Sequence, residues 1–443
     1  MQALENVRLI ESVKAFAAKM HAMRQYLAQS EDLSGHQKER WFLDAVDIYC
    51  DAVTCLVHDP SLAQLTSRGL LAFREYATQY AASERFASLL KQTKELEAEI
   101  SSIGYCVLIN SPNVQVRKCE GESDYSADVQ AMFDRFKQGA VKNYNFKFSD
   151  SLKMDHIEEK ILALVTRLYP DTFSRLQAYC ARHKDYPDDK IFTFDREIQF
   201  YVAYLEHIAI FKEAGLDFCY PRITKASKEV YSCQGFDLAL AGKLIGERAM
   251  PVCNDFYLKD RERMIVVSGP NQGGKTTFAR TFGQLHYFAS LGCPVPGREA
   301  QLFLFGELLT HFEREEMINN LRGKLQDDLV RVHRILERAT PKSIIIMNEV
   351  FTSTTLQDTV VLSKNIATKI IGLDLLCVWV TFVEELAFLG EQTVSMVSTV
   401  VPENPALRTY KIVRLQADGL SYAMSIAEKY RLTYKMIKDR IGA

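Results

Sequence analysis

A chain of 443 residues exceeds one ordinary hydrophobic core and has material for two or more domains. Its 47% hydrophobic and 25% charged residues are those of a globular protein, and 54 Lys+Arg against 56 Asp+Glu, a net charge of -2, exclude a global basic excess, so nucleic-acid contact has to come from a local patch. The 10 cysteines include no Cys-x-x-Cys pair and no Cys/His cluster at zinc spacing, which predicts buried or free thiols in a reducing compartment rather than a disulfide frame.

The opening "MQALENVRLIESVK" lacks a secretory core, and the longest apolar stretch, "LLCVWVTFV" between Asp374 and Glu384, is too short to span a bilayer. A cytoplasmic protein without membrane contact is expected. Ile10, Val13, Phe16, Met20, Met23 and Leu27 recur at three- and four-residue steps, as one buried helix face requires. The same period runs through "ERWFLDAVDIYCDAV", "LLAFREYATQYAA" and "RFASLLKQTKELEAEI". At "YCVLINSPNVQVRKC" it gives way to two β-prone runs about a Pro-Asn turn, which predicts a hairpin over 105–119. An acidic stretch, a helix over "SADVQAMFDRFKQG" and an alternating run "VKNYNFKF" follow. Helical period returns over 156–169, breaks at Pro170 and continues to Ala181; a further helix is expected over 195–214, stopped by Gly215.

After about Ser227 strands and helices alternate. "MIVVS", "SIIIMN" and "LLCVWVTF" are continuous apolar runs, as strands covered on both faces require, with helices expected over 277–291 and 356–371. The tail, "TYKIVRLQADGLSYAMSIAEKY", reads as an edge strand, a turn at Gly419 and a closing helix. The fold class is therefore multidomain, α and α/β: a helical region with a small hairpin insertion over 1–226, and a domain with a mostly parallel sheet over 227–443.

Gly269-Pro270-Asn271-Gln272-Gly273-Gly274-Lys275-Thr276 fits the P-loop pattern G-x-x-x-x-G-K-[ST], and it follows a predicted strand and opens a predicted helix. Glycines let the main chain curl until its N–H groups face phosphate oxygens, and the helix presents its positive end to the same anion. In this pattern Lys275 reaches the β- and γ-phosphates and the Thr276 hydroxyl binds Mg²⁺, so ATP and Mg²⁺ are the expected cofactors. "SIIIMNE" supplies the second strand such a site needs; Glu349 reads as general base or water-positioner, or else as a carboxylate capping backbone donors at a strand end.

"SGPNQGGKTTFARTFGQ" resembles the loop of the MutS family of DNA mismatch-repair ATPases, Gly-Pro-Asn-x-Gly-Gly-Lys-[Ser/Thr]-Thr, with Thr277 as its last residue. "LGCPVPG", "RATPKSIIIMNEVFTSTTLQD" and "GLSYAMSIAEKY" are similar to further blocks of that family in the same order, over roughly 236–437. The first half resembles its core, lever and clamp region more loosely. The resemblance implies an ABC-type P-loop ATPase domain, ATP switching a DNA-clasping helical arm in repair or recombination, a homodimer through the ATPase domain, and Asn254 at the adenine. It implies an Asp before Glu349, where this chain has Asn348; the amide keeps an oxygen for Mg²⁺ but drops a unit charge, so slow hydrolysis is expected. Arg322-Gly323-Lys324 stand where the family carries its serine signature, and Phe382 where it has a histidine. The mismatch-reading domain and the C-terminal dimer-tightening segment are expected to be missing; Phe-x-Glu occurs at Phe73, Phe305 and Phe382 in unsuitable contexts.

Two stretches read in two ways. Thr352-Ser353-Thr354-Thr355 faces a second subunit's nucleotide by the resemblance, while Thr354 with Gln357 reads as a helix capping box. Arg135, Lys137, Lys142, Tyr144, Lys147 and Phe148 mix bases with aromatics, as a DNA-contacting face or a half-buried strand does, and Arg117 and Lys118 add charge to the hairpin. His286 and His333 read as ordinary helix residues. A DNA-binding ATPase is the first expectation; a nucleotide-gated scaffold that binds ATP with little hydrolysis is the second.

Overall fold

The computed structural model describes residues 7–60, 65, 67–110, 113–119, 156–312, 323–416 and 430–441. The helix and strand expected over 126–148 with their basic and aromatic residues, Arg322, and the turn at Gly419 with the helix after it lie outside the described residues. The chain divides into two compact units, residues 2–203 and 204–443.

The first unit is helical: α1 Val7–Glu31, α2 Gly35–His58, α3 Arg68–Ala81, α4 Glu84–Ser101, α5 His156–Leu168, α6 Pro170–Arg182 and the first half of α7 Asp189–Glu213. The apolar stripe of α1 buries Val13, Phe16, Met20 and Met23 against Leu43, Val46, Tyr49 and Val53 of α2, joined by Phe86, Leu89 and Leu96 of α4, Leu176 of α6 and Ile191 of α7. Pro170 opens α6 where its missing N–H costs nothing. α7 starts earlier than the expected Asp195, because the Asp188 carboxylate accepts from the N–H groups of Lys190 and Ile191, at 3.0 and 3.1 Å, and caps a first turn that buries Ile191. The hairpin pairs β1 Tyr105–Asn110 with β2 Asn113–Lys118, Tyr105 opposite Lys118 and Asn110 opposite Asn113, and Val116 packs on the helical core.

Asp195 is 0% exposed and holds Arg24 of α1 through one oxygen and Gln199 Nε2 through the other, at 3.1 Å. Its guanidinium partner is part exposed, so the two truncations differ. Arg24→Ala strands a buried carboxylate and should cost about 3 kcal/mol by urea unfolding, whereas Asp195→Ala leaves Arg24 able to reach water and should cost less. Equal losses would remove burial of the carboxylate as the reason.

The second unit centres on a six-stranded sheet of order β10-β11-β12-β7-β13-β14, where β7 is Met264–Ser268, β10 Glu307–His311, β11 Ser343–Asn348, β12 Leu376–Val380, β13 Thr393–Val401 and β14 Asn404–Val413. The first five are parallel, and β14 closes the edge antiparallel to β13. Successive residues face opposite layers. Ile265, Val267, Ile344, Ile346 and Val378 pack with Phe278, Phe282 and Leu285 of α9 Lys275–Ser290. Ile345, Met347, Cys377 and Trp379 pack with Val332 and Ile335 of α10 Lys324–Arg338 and Ile366 and Ile370 of α11 Leu356–Gly372. Both faces are thus covered, which is why these strands read as unbroken apolar runs. α9 lies so close to the sheet that a methyl at Gly283 would meet Ile346 Cδ1 at 2.6 Å.

A smaller sheet of order β4-β9-β5-β6 carries β4 Arg222–Thr224, β5 Val230–Gly235, β6 Asn254–Leu258 and β9 Glu299–Phe303, with β3 Phe218–Cys219 paired to β8 Val295–Pro296 beside it. Helix α8, Leu238–Gly246, follows β5, and α12 is Tyr434–Ile441. Asp237, the N-cap of α8, is buried and binds Arg280 and Gln284 of α9, fixing the helix that opens the site described next. No described helix is long and apolar enough to cross a membrane.

Candidate functional site

Between the buried end of β7 and the start of α9 the main chain turns back on itself over residues 269–274. Gly269 has φ 112°, Gln272 59° and Gly274 89°, so the curl passes three times through left-handed backbone. Two of the glycines are also demanded by space. A methyl at Gly273 would lie 2.1 Å from Ser398 Oγ, and one at Gly269 would lie 2.9 Å from the Ser398 carbonyl oxygen. Ser398, buried on β13, donates its hydroxyl to the Gly273 carbonyl at 2.7 Å. The turn is therefore pinned from beneath by the neighbouring parallel strand.

Gly274 is the N-cap of α9 and brings no side chain to cap it, so the first amides of the helix lack the usual local acceptor. The Lys275 side chain, 7% exposed, bends back into the curl. Its ammonium donates to the carbonyls of Gly269 at 2.9 Å and Pro270 at 3.0 Å and lies 3.4 Å from Asn271 Oδ1. Burial holds this ammonium below the usual lysine range; the Glu349 carboxylate opposes the shift and Arg408 reinforces it. Thr276 Oγ1 donates to Asn348 Oδ1 at 2.8 Å across to the end of β11.

The residues after Asn348 are held tightly. Glu349 has φ 50° and Phe351 φ 64°, both in the left-handed region without being glycine. The Glu349 N–H binds the Val380 carbonyl at 2.9 Å, the Phe351 N–H binds Asp328 Oδ2 at 3.3 Å, and the Thr359 hydroxyl donates to the Phe351 carbonyl at 2.9 Å. Asp328 on α10 has His311 Nε2 3.1 Å from its other oxygen. Burial works to raise this carboxyl, but His311, the Phe351 N–H and Arg331 outweigh it and hold it low. The sequence reading missed Ser398, Asp328 and Thr359: Ser398 and Asp328 lie far along the chain from the residues they support, and Thr359 reaches back to Phe351 from inside α11.

The structure brings Gly269 to Thr277, Asn348 and Glu349 together at one end of the parallel sheet. Asn254, at the start of β6, donates through Nδ2 to the Tyr410 carbonyl at 3.1 Å and accepts at Oδ1 from the Ile412 N–H at 2.7 Å. Its amide thereby ties β6 to β14, whose Arg408 Nε reaches the Asn271 carbonyl at 3.1 Å. The cap of α11 is Thr355, not the expected Thr354: its hydroxyl accepts from the Asp358 N–H at 3.2 Å, and Asp358 rather than Gln357 is the residue that answers it. Gly323 is the N-cap of α10, and Phe382 after β12 is 50% exposed. His286 is buried in α9 with Nδ1 against the Phe282 carbonyl, and burial pushes its pKa down to about 4.

Residues 265–440 match the family model for MutS domain V. Among curated proteins the chain is similar to DNA mismatch repair protein MutS of Thermosipho melanesiensis, 35% identical over 99 residues, covering 22% of this chain and 12% of that one. It is 28% identical over 182 residues to the MutS of Fervidobacterium nodosum, covering 40% and 22%, and 27% identical over 191 residues to that of Halalkalibacterium halodurans, covering 41% and 22%. The matches thus span about a fifth or less of those relatives' length. The glycine-rich turn, the helix after it and all but the first residue of the strand before it fall within the matched stretch, so it is the part of the chain carrying this site that is similar to MutS domain V.

Proposed function

We propose that the chain is an ATP-binding, slowly hydrolysing DNA-binding protein of the mismatch-repair type, in which nucleotide held by the turn at 269–276 switches a DNA-clasping helical region. The observation that carries this reading is the side chain of Lys275, whose buried ammonium is satisfied by oxygens of the turn itself beside an uncapped helix start. Phosphate oxygens are chemically better partners for that ammonium and for the first amides of α9. Thr276 Oγ1 and Asn348 Oδ1 are neutral oxygens suited to a hard divalent cation, and among the described residues no cluster of three or more His, Cys, Asp or Glu offers a rival site. Bound Mg²⁺ would neutralise charge on the β- and γ-phosphates. Lys275 and the amides of Gly273 to Thr276 would stabilise the phosphoryl oxygens as their charge grows, and Glu349 would orient the attacking water. The names of the relatives favour DNA as the partner and repair as the setting. A homodimer through the domain at 227–443 and a cytoplasmic location belong to the same proposal.

Asn348 favours one second reading, a nucleotide-gated scaffold that binds ATP with little hydrolysis. The test is equilibrium binding of Mg-ATP, then single-turnover phosphate release, with a DNA panel (duplex, mismatch, junction, single strand) with and without ATP at fixed salt. Binding with phosphate release supports the ATPase; binding without release leaves the scaffold; no binding removes both. Asn348→Asp restores a unit charge, worth up to about 4 kcal/mol for a pair ~4 Å apart at an effective dielectric of 20. It should speed single turnover by at least about tenfold, which asks for only ~1.4 kcal/mol of the barrier. An unchanged rate would show that Asn348 is not what limits hydrolysis.

A further inference from the structure

We propose that Cys106 and Cys119 form a reversible disulfide at the base of the β1–β2 hairpin, a thiol–disulfide exchange site for a low-molecular-weight disulfide of the glutathione class. Sequence spacing gave no hint of this pair, and the register explains why. Cys106 stands opposite Arg117, and the Cys119 N–H meets the Gly104 carbonyl at 3.5 Å, so the two thiols are diagonal neighbours on one face of the hairpin. Gly104 has no side chain to fill the place opposite Cys119; a methyl there would already touch Cys119 Cβ at 3.6 Å. Beside that gap the two sulfurs lie 2.8 Å apart, well inside the contact distance of two separate thiols.

The surroundings favour reaction at this pair. Cys119 is exposed and Cys106 half-buried, whereas Cys50, Cys293 and Cys377 are buried. Burial pushes the Cys50 thiol up to about 12 and the Cys293 thiol to about 11, leaving little thiolate. Arg117, opposite Cys106 in the register, belongs to the same face of the hairpin as both thiols. The hairpin base is anchored: the Tyr169 hydroxyl donates to the Gly104 carbonyl at 2.7 Å, and the Lys118 ammonium sits 4.9 Å over the Tyr169 ring. A bond between the sulfurs would lock the open ends of both strands onto that anchor.

The exchange balances without another reagent. The Cys119 thiolate attacks one sulfur of the glutathione disulfide and expels one glutathione thiolate. The Cys106 thiolate then attacks the Cys119 sulfur of the mixed disulfide and expels the second glutathione. Two protein thiols are oxidised, one small disulfide is reduced to two thiols, and the two protons go to the leaving thiolates.

The full chain is incubated with oxidised glutathione, alkylated and peptide-mapped. The expected product is one intramolecular link between Cys106 and Cys119, two hydrogens lighter, reversed by dithiothreitol, with Cys55 carrying at most a mixed disulfide. In Cys106→Ser the reaction should stop at glutathionylated Cys119. Amide exchange within β1 and β2 should slow by about tenfold in the linked form. If both thiols stay fully alkylatable at a glutathione disulfide level that modifies exposed Cys55, or if the unmutated chain yields only mixed disulfides, the proposal is overturned.

Discussion

Lys275→Ala is expected to weaken Mg-ATP binding by about a hundredfold or more while leaving the fold intact. The expectation rests on what the ammonium does without ligand. It is almost buried and held by two carbonyls of the turn at 2.9 and 3.0 Å, at a site where burial already disfavours its charge. A triphosphate would exchange those neutral partners for charged ones, and each hydrogen bond to a charged group is worth about 1.5–3 kcal/mol. Two such bonds lost amount to about 3 kcal/mol or more, hence the hundredfold. Stability of the ligand-free protein should move less. The variant loses hydrogen bonds to the Gly269 and Pro270 carbonyls but is spared the cost of a desolvated ammonium, so a change within about 1 kcal/mol is expected. Calorimetry for binding and a thermal scan with and without Mg-ATP separate the two effects. A variant that binds within about threefold of the unmutated chain would remove Lys275 from the phosphate site.

The apolar runs "MIVVS", "SIIIMN" and "LLCVWVTF" sufficed to read the parallel sheet because strands buried on both faces leave no polar alternation to confuse them with other structure. The glycine-rich turn was equally legible, since its demands on φ fall on contiguous residues. What escaped were side chains whose role depends on separate elements meeting. Ser398 is an unremarked serine in a strand, yet it sets the room beneath Gly273. Asp328 and Thr359 belong to no motif, yet between them they hold the main-chain N–H and carbonyl of Phe351. Cys106 and Cys119 became partners through a diagonal that register alone decides. The expected cap Thr354 stands one residue too early: Thr355 lies three residues before Asp358, whose N–H donates to its hydroxyl. The turn was legible because its pattern is contiguous, whereas Ser398 and Asp328 support residues 125 and 23 positions away and carry no motif of their own.

Glu349→Gln should lower single-turnover phosphate release by about a hundredfold, the lower range for loss of a general base or water-positioner. The site around this residue is held against conformational preference. Left-handed backbone at Glu349 and Phe351 costs on the order of 1–3 kcal/mol at each. The Val380 carbonyl, Asp328 and Thr359 offset that cost by taking the local peptide groups in turn. Such expense in a strand-end loop is intelligible if the Glu349 carboxylate has to stand at a fixed place near the turn, and its charge is felt at Lys275, where it opposes the effect of burial. Glutamine keeps the size and the main-chain bonds and removes only the charge and the basic oxygen. Binding of Mg-ATP should therefore persist, and should tighten somewhat, because a negative charge near the phosphates is gone. The split between intact binding and lost release separates a chemical role from a structural one, for a collapsed loop would impair both. Rapid-quench measurement with the protein in excess reads the step directly, and release at the unmutated rate would mean that water is oriented by some other group.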